Sequence, residues 1–343
     1  MIRLLNERAE LVHEVGVIKK AANQPIYAPE REEQVLRALA GKARDLKSRL
    51  PEKSIRAIYR EIMSAALALE KPLTIAYFGP HSTNTHQAAR SKFGASVDYS
   101  ACTTIADVFD AVARGRADYG VVPIESSAQT LMSSTLGAFM ESELRICAQI
   151  HVRPETYLAA KCAQSEITRI YSAKHLFRQY SRWLESNHPG VKLIEVPSAQ
   201  RAARLADSEP RAAALVGHIL GETYELRLLE ACSPNQRKPP TCFLVIAPHA
   251  APPTGDDGTA LILSLRKEPH APDQAQALLQ RLHLPVCKIK RGPNQGKTSE
   301  QIYYVDVDGH ADEPLLKKAI ANLTKHCPLV KILGTYPKTS AQM

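Results

Sequence analysis

Apolar positions in the first seventy residues recur with a helical period. Leu4, Leu5, Leu11, Val12, Val15 and Ile18 fall on one face. Residues 21–28, with Pro25 among them, break that helix. Pro29 suits the first turn of a second helix, and Glu30 and Glu32 favour its N-terminus. The pattern predicts that this helix runs to about Leu50 and that a third runs from Pro51 to near Glu70. The rhythm then changes. Short apolar runs at Thr74–Phe78, Tyr119–Ile124, Leu144–Val152, Arg169–Ser172, Lys192–Val196, Ala212–Val216 and Cys242–Ala247 predict strands. Helical patterns at Thr85–Phe93, Thr104–Ala113, Leu176–Ser186 and Ala199–Asp207 lie between them. This alternation predicts α/β layers, in two lobes that meet near residue 155. Pro248–Asp257 is a linker rich in Pro, Gly and Asp. Beyond it the order is strand (Ala260–Leu265), helix (Pro272–Leu282), strands (Val286–Lys290, Gln301–Val307), helix (Leu315–Lys325) and strand (Val330–Leu333). That βαββαβ order is the ferredoxin-like one.

The stretch Asp107–Ser127, DVFDAVARGRADYGVVPIESS, combines these signals. Val108, Phe109, Ala111 and Val112 share a helical face. A Gly turn follows, then the buried run Val121-Val122-Pro123-Ile124, then a polar tip at Glu125-Ser126-Ser127. Open α/β sheets bind small anions outside the carboxyl ends of their strands.

Composition narrows the class. The chain has 343 residues, enough for two to three domains, with 44% hydrophobic and 23% charged residues. No apolar run approaches the ~18 residues of a membrane span, and the charged N-terminus lacks the apolar core of a secretion signal. Seven cysteines stand singly, with no CxxC and no zinc spacing, which predicts reduced thiols, a cytoplasmic protein and no metal site. The formal net charge is +9. The basic clusters are short, as at Lys288–Arg291 and Lys317-Lys318, and no nucleic-acid signature is present. Small anionic ligands and a solvated basic surface explain the charge better than nucleic acid does.

The Asp107–Ser127 stretch resembles the ADYGVVPIENS signature of prephenate dehydratases, with Ser126 in place of Asn. From end to end the chain resembles the bifunctional chorismate mutase–prephenate dehydratases with a C-terminal ACT domain. The resemblance implies three domains. Residues 1–71 form an all-helical mutase-like domain, and residues 72–248 a two-lobed α/β dehydratase domain of periplasmic-binding-protein type. Residues 258–338 form a βαββαβ ACT domain. No cofactor is implied, and the substrates are chorismate and prephenate.

The mutase reaction is a pericyclic rearrangement. Its site needs cations for two carboxylates and a donor for the ether oxygen that gains negative charge. Arg8 and Lys19 lie eleven residues apart, three helical turns, so they share a face. The resemblance gives Arg8 a carboxylate, and Lys19 a carboxylate and the ether oxygen. It assigns Arg31 as a further ligand, Glu32 as the acceptor of the substrate hydroxyl, and Glu70 as a protonated donor to the ether oxygen. It also implies another Arg, supplied in relatives by a stretch upstream of the position of Met1. On their own, such residues on helices are mostly solvated faces.

The dehydratase reaction removes water and carbon dioxide together and forms an aromatic ring. The protein must supply positioning and one acid. The family's T-R-F motif, whose Thr is the acid, appears as Thr241-Cys242-Phe243. Its G-P-x-G-T-F appears as Gly79-Pro80-His81-Ser82-Thr83-Asn84, with Ser where the loop Gly stood, a poor residue for positive φ. Its S-T-A appears as Pro197-Ser198-Ala199. Thr241 is therefore the expected acid, and Thr83, Glu125, Ser126, Ser127 and Ser198 the expected substrate ligands. In the ACT segment the two effector loops appear as His270-Ala271-Pro272 and Lys290-Arg291-Gly292-Pro293. Both are changed, which argues against feedback by phenylalanine. The final strand, Leu333-Gly334-Thr335-Tyr336-Pro337, matches, so a homodimer or tetramer through the helical and ACT domains is expected.

These readings predict an enzyme of phenylalanine biosynthesis, a prephenate dehydratase with chorismate mutase activity. Two alternatives stay open: a repurposed paralogue, such as a decarboxylase of prephenate or a related diacid, and a non-catalytic regulatory subunit.

Overall fold

The computed structural model describes residues 1–22, 27–124, 129–153, 155–236, 240–266, 271–292 and 300–338. In chain order the elements are α1 (Ile2–Ala21), α2 (Pro29–Asp45), α3 (Glu52–Glu70), β1 (Thr74–Phe78), α4 (Asn84–Phe93), β2 (Asp98–Cys102), α5 (Ile105–Ala113), β3 (Tyr119–Pro123), α6 (Gln129–Glu141) and β4 (Arg145–Val152). Next come β5 (Tyr157–Ala160), β6 (Arg169–Ser172), α7 (Lys174–Gln179), α8 (Ser181–Asn187), β7 (Lys192–Glu195), α9 (Ala199–Ser208), β8 (Ala212–Val216), α10 (His218–Thr223) and β9 (Arg227–Ala231). The chain closes with β10 (Thr241–Ala247), β11 (Asp257–Arg266), α11 (Ala271–Arg281), β12 (Val286–Arg291), β13 (Glu300–Asp308), α12 (Pro314–Leu323) and β14 (Leu329–Pro337). The chain divides into two compact units, one of residues 1–80, 88–151 and 242–343, the other of residues 81–87 and 152–241.

The first unit holds two sheets. One has the order β2-β1-β3-β10-β4, with β1 parallel to β2 and β3 and β10 antiparallel to β3. The other has the order β12-β13-β11-β14, with antiparallel pairing throughout. Val108, Phe109 and Val112 of α5, Leu136 and Phe139 of α6, and Leu244 and Ile246 of β10 share one core with Ile262, Tyr304 and Tyr336 of the C-terminal sheet. A second core, with Leu261, Leu263, Val305 and Leu323, fills the other face of that sheet. Gly334 sits where β14 crosses β4. A Cβ there would lie 2.3 Å from the Ile146 carbonyl oxygen, so this crossing requires glycine.

The three N-terminal helices belong to the same unit. Pro29, Glu33, Leu36 and Ala40 form the buried stripe of α2. Gly16 is the close-approach point of α1: a Cβ there would meet Glu70 Cγ at 2.9 Å. The apolar face predicted for α1 is uncovered in the single chain, with Leu4, Leu11, Val15 and Ile18 between 46% and 68% exposed. α2 stops at Asp45, short of the expected Leu50. Lys47 takes φ +47 and the Ser48 N–H closes on the Ala43 carbonyl, a left-handed stop that no Gly announces.

The second unit is one sheet of order β7-β6-β8-β5-β9, with β6 parallel to β7 and β8, and β5 antiparallel to both neighbours. Its two faces carry separate cores, one around Leu158, Ile170 and Trp183, the other around Ala202, Ala214 and Leu226. The single helix expected over Leu176–Ser186 is instead α7 and α8, with a break at Tyr180 (φ −116). The Asn235 side chain serves the backbone there: Nδ2 donates to the Arg178 carbonyl at 2.9 Å and Oδ1 accepts from Arg182 N–H at 3.2 Å.

Candidate active sites

The Asp107–Ser127 stretch folds as its pattern requires. Thr104 caps α5 by accepting from Asp107 N–H at 3.1 Å, while Asp107 accepts in return from Thr104 N–H at 3.0 Å. Hydrogen bonds from Thr104 and then Thr103 hold the Asp107 carboxyl below its ordinary value. Gly115 turns the chain at φ +69, and every residue of β3 is buried. The polar tip, Glu125, Ser126 and Ser127, lies outside the described residues. Phe243 of β10 pairs with Pro123, and Ile124 N–H donates to the Cys242 carbonyl at 3.2 Å. Thr241, at the start of β10, and Ile124, just past the end of β3, therefore lie at the same end of adjacent strands. Cys242 points into the core and is 1% exposed; Thr241, the first residue of β10, is half-buried.

Two other expected dehydratase ligands stand at helix starts in the second unit. Thr83 Oγ1 accepts from His86 N–H at 3.4 Å ahead of α4. Ser198 caps α9, accepting from Arg201 N–H at 3.2 Å. N–H groups at such ends suit a carboxylate. Ser82 takes φ +71, the left-handed conformation anticipated for this loop, and its N–H donates to His86 Nδ1 at 3.0 Å. Of the effector loops, residues 267–270 and 293–299 lie outside the described residues.

Among the mutase residues, the structure joins Lys19 and Glu70. Lys19 Nζ is 3.6 Å from Glu70 Oε2, which is buried without a hydrogen-bond partner. The Glu70 side chain is 8% exposed. A pair slightly beyond hydrogen-bond distance, with an orphaned oxygen on one side, can accept a ligand atom between its members. Arg8 is half-buried on α1, and Arg31 is exposed on α2, where it donates to Gln34 at 3.4 Å. Glu32 has other partners. Its Oε2 accepts from Tyr27 Oη at 2.8 Å and pairs with Lys92 Nζ at 2.7 Å. Sequence reasoning passed over Lys92 and Tyr27, since a basic residue in the last turn of α4 and a lone aromatic carry no local signal. A cavity of about 330 Å³ lies nearby, lined by Tyr27, Glu30, Tyr119, Cys147 and His249 among others. Of the expected site residues it contains none.

Residues 1–71 match the chorismate mutase type II family, and residues 75–251 match the prephenate dehydratase family. A bifunctional chorismate mutase/prephenate dehydratase of Aquifex aeolicus is 38% identical over 345 residues, covering 100% of this chain and 95% of that protein. This chain belongs to the bifunctional chorismate mutase/prephenate dehydratase family. Among solved structures, the prephenate dehydratase of Arthrobacter aurescens in complex with L-Phe superposes with a TM-score of 0.65 at 25% identity, covering 78% of this chain and 90% of that one. A protein described as a novel type of quorum-quenching acylase gives a TM-score of 0.67 at 21% identity, covering 79% of this chain and all of its own. That second likeness concerns the fold alone. Among the described residues no helix is long and apolar enough to cross a membrane, and no cluster of His, Cys, Asp and Glu could hold a metal ion.

Proposed function

We propose that this chain rearranges chorismate to prephenate in its helical segment and converts prephenate to phenylpyruvate in its α/β segment. It thereby serves phenylalanine biosynthesis in the cytoplasm. The observation that carries this reading is the full-length likeness to the Aquifex enzyme across both segments. In the mutase site the ether oxygen lies between Lys19 and Glu70, Arg8 and Arg31 take the carboxylates, and Glu32 accepts the substrate hydroxyl. In the dehydratase site Thr241 donates the proton to the departing hydroxyl. Thr83, Ser198, Glu125, Ser126 and Ser127 bind the substrate. No metal or organic cofactor takes part.

The C-terminal segment is an ACT domain with altered effector loops. The uncovered α1 face is covered by a second copy of the chain, since an apolar stripe of this length is costly in water. Light scattering on the eluted protein tests this point: a dimer or tetramer supports it, and a monomer at micromolar concentration sinks it.

The activity test uses purified full-length protein, chorismate or prephenate, and product analysis by absorbance and mass. Phenylpyruvate from both substrates is the expected result. A non-aromatic decarboxylated acid supports the repurposed enzyme instead, for which the altered loop with its strained Ser82 speaks. No turnover of either substrate leaves the regulatory subunit.

A further inference from the structure

Glu32 is expected to accept a substrate hydroxyl, yet its side chain is largely withdrawn from solvent. Its carboxylate and the Lys92 ammonium are each 10% exposed. Burying a carboxylate costs several kcal/mol unless a cation and hydrogen bonds compensate. The cation here comes from outside the helical segment: Lys92 is in the last turn of α4, in the dehydratase segment. Both donors converge on one oxygen. Lys92 Nζ and Tyr27 Oη each reach Glu32 Oε2, at 2.7 and 2.8 Å, so Oε1 is the oxygen left for a substrate hydroxyl.

The support under this pair is rigid. Tyr27 stacks against Phe93 at 5.0 Å and Tyr119 at 5.1 Å between ring centroids, and Lys92 Nζ lies 5.9 Å from the Tyr27 ring centroid. Burial, and then the Glu32 charge, push the Tyr27 hydroxyl well above its ordinary value, so it remains a donor. A small cavity of about 40 Å³ beside the pair is lined by further charged groups: Glu33 of α2, Arg56 and Arg60 of α3, and His151 of β4. Arg37 engages Glu33 at 3.3 Å, and Arg56 engages Glu52 at 3.0 Å. Lys92, at 2.7 Å, is in direct contact with Glu32.

We propose that Lys92 is a positioning residue of the mutase site: it holds the Glu32 side chain turned so that Oε1 receives the substrate hydroxyl. The dehydratase segment then completes the mutase site within one chain. This rests on the reading of Glu32 as the hydroxyl acceptor.

The test is steady-state kinetics on the full-length protein with chorismate, and separately with prephenate, for K92M, K92R, E32Q and E32Q/K92M. A hydrogen bond to a charged group is worth enough that K92M should lower mutase kcat/KM about 10- to 100-fold. The loss should fall mainly on KM, because a hydroxyl contact is made in ground and transition states alike. K92R should recover most of it. In the E32Q background K92M should cost less than about twofold, since its route is already gone. Dehydratase kinetics should be unchanged in K92M, which also reports an intact fold. Wild-type mutase kinetics in K92M, or an undiminished K92M penalty in E32Q, overturns the proposal. So does a parallel fall in dehydratase turnover, the mark of mere domain docking. Wild-type kinetics in E32Q removes the role of Glu32, and Lys92 loses its purpose with it. A wild-type protein inert toward chorismate fails the mutase reading itself, a result visible before any variant is made.

Discussion

Gln149 Nε2 donates to Tyr336 Oη across 2.6 Å, joining β4 of the dehydratase segment to the last strand of the C-terminal sheet. The same amide group reaches Tyr304 Oη and both oxygens of Asp306 at 3.2 Å. Tyr304 and Tyr336 in turn donate to Asp306 Oδ1 at 2.8 and 2.7 Å. All four residues are buried. Removing one partner from a buried polar cluster leaves the others short of a bond, at about 1–3 kcal/mol. Gln149→Leu should therefore lower the unfolding free energy by about that amount. Gln149→Glu should lower it further, because a second carboxylate then faces Asp306. Urea unfolding measures both, and a Q149L protein as stable as wild type contradicts the account.

Asp306 supplies a pH dependence. Burial raises its carboxyl above the ordinary 3.8, against hydrogen bonds from Tyr336, Tyr304 and Gln149 that lower it. A carboxyl raised in the native state binds its proton more tightly there than in the unfolded chain. Its contribution to stability is therefore complete below 3.8 and lost as pH rises through the raised native value. Asp306→Asn lacks this loss. Its unfolding free energy should fall less than that of wild type as pH is raised from 3.8 toward neutrality. Denaturant titrations at several pH values check this, and identical slopes for the two proteins would rule it out.

Much of this was legible in the amino-acid order, and the exceptions have physical reasons. Strands buried on both faces, such as β3 and β8, announced themselves as continuous apolar runs. The edge strand β2 did not, because its residues alternate between exposed and half-buried and carry no apolar stripe. The break between α7 and α8 was hidden because Asn235, which serves the freed backbone groups, lies more than fifty residues downstream. Thr241 and Ile124 were brought to one strand end by pairing that no local pattern encodes. The letter changes also read differently in three dimensions. Cys242 is a core residue beneath the C-terminal sheet, so its departure from Arg concerns packing at that position. Lys19 and Glu70 were linked through the family resemblance, and the small side of Gly16 is what lets their helices meet.

Ser82 carries a strain that glycine would relieve. Its φ of +71 costs a residue with a Cβ about 1–2 kcal/mol relative to the right-handed regions. Its N–H bond to His86 Nδ1 belongs to the backbone and survives substitution. Gly also gains entropy in the unfolded chain, which offsets part of the relief. Ser82→Gly should therefore stabilise the protein by about 0.5–1 kcal/mol, whereas Ser82→Val should destabilise it, since a β-branched residue tolerates positive φ worst. Thermal unfolding of the two variants orders them, and a destabilised S82G would show that the serine hydroxyl is needed here.

On the proposed reading, Thr241 is the acid of the dehydratase site. Its backbone is fixed by the strand it opens: Cys242 accepts from Ile124, and Phe243 sits in register with Pro123. Valine keeps the β-branched shape and suits the first position of a strand, so Thr241→Val should still fold, with a stability change on the usual point-mutant scale of about 0.5–3 kcal/mol. What it removes is the hydroxyl. If that group protonates the leaving hydroxyl of prephenate, T241V should lose about 10²- to 10⁴-fold in dehydratase kcat, the usual scale for a positioned acid. Thr241→Ser keeps the donor and should stay within about tenfold of wild type. Mutase kinetics with chorismate should be the same in all three proteins, because the helical segment is untouched. Stopped assays following phenylpyruvate give the comparison. A T241V enzyme with wild-type kcat would assign the proton to another group, and Glu125, an expected substrate ligand, would be the next to examine by the same substitution logic.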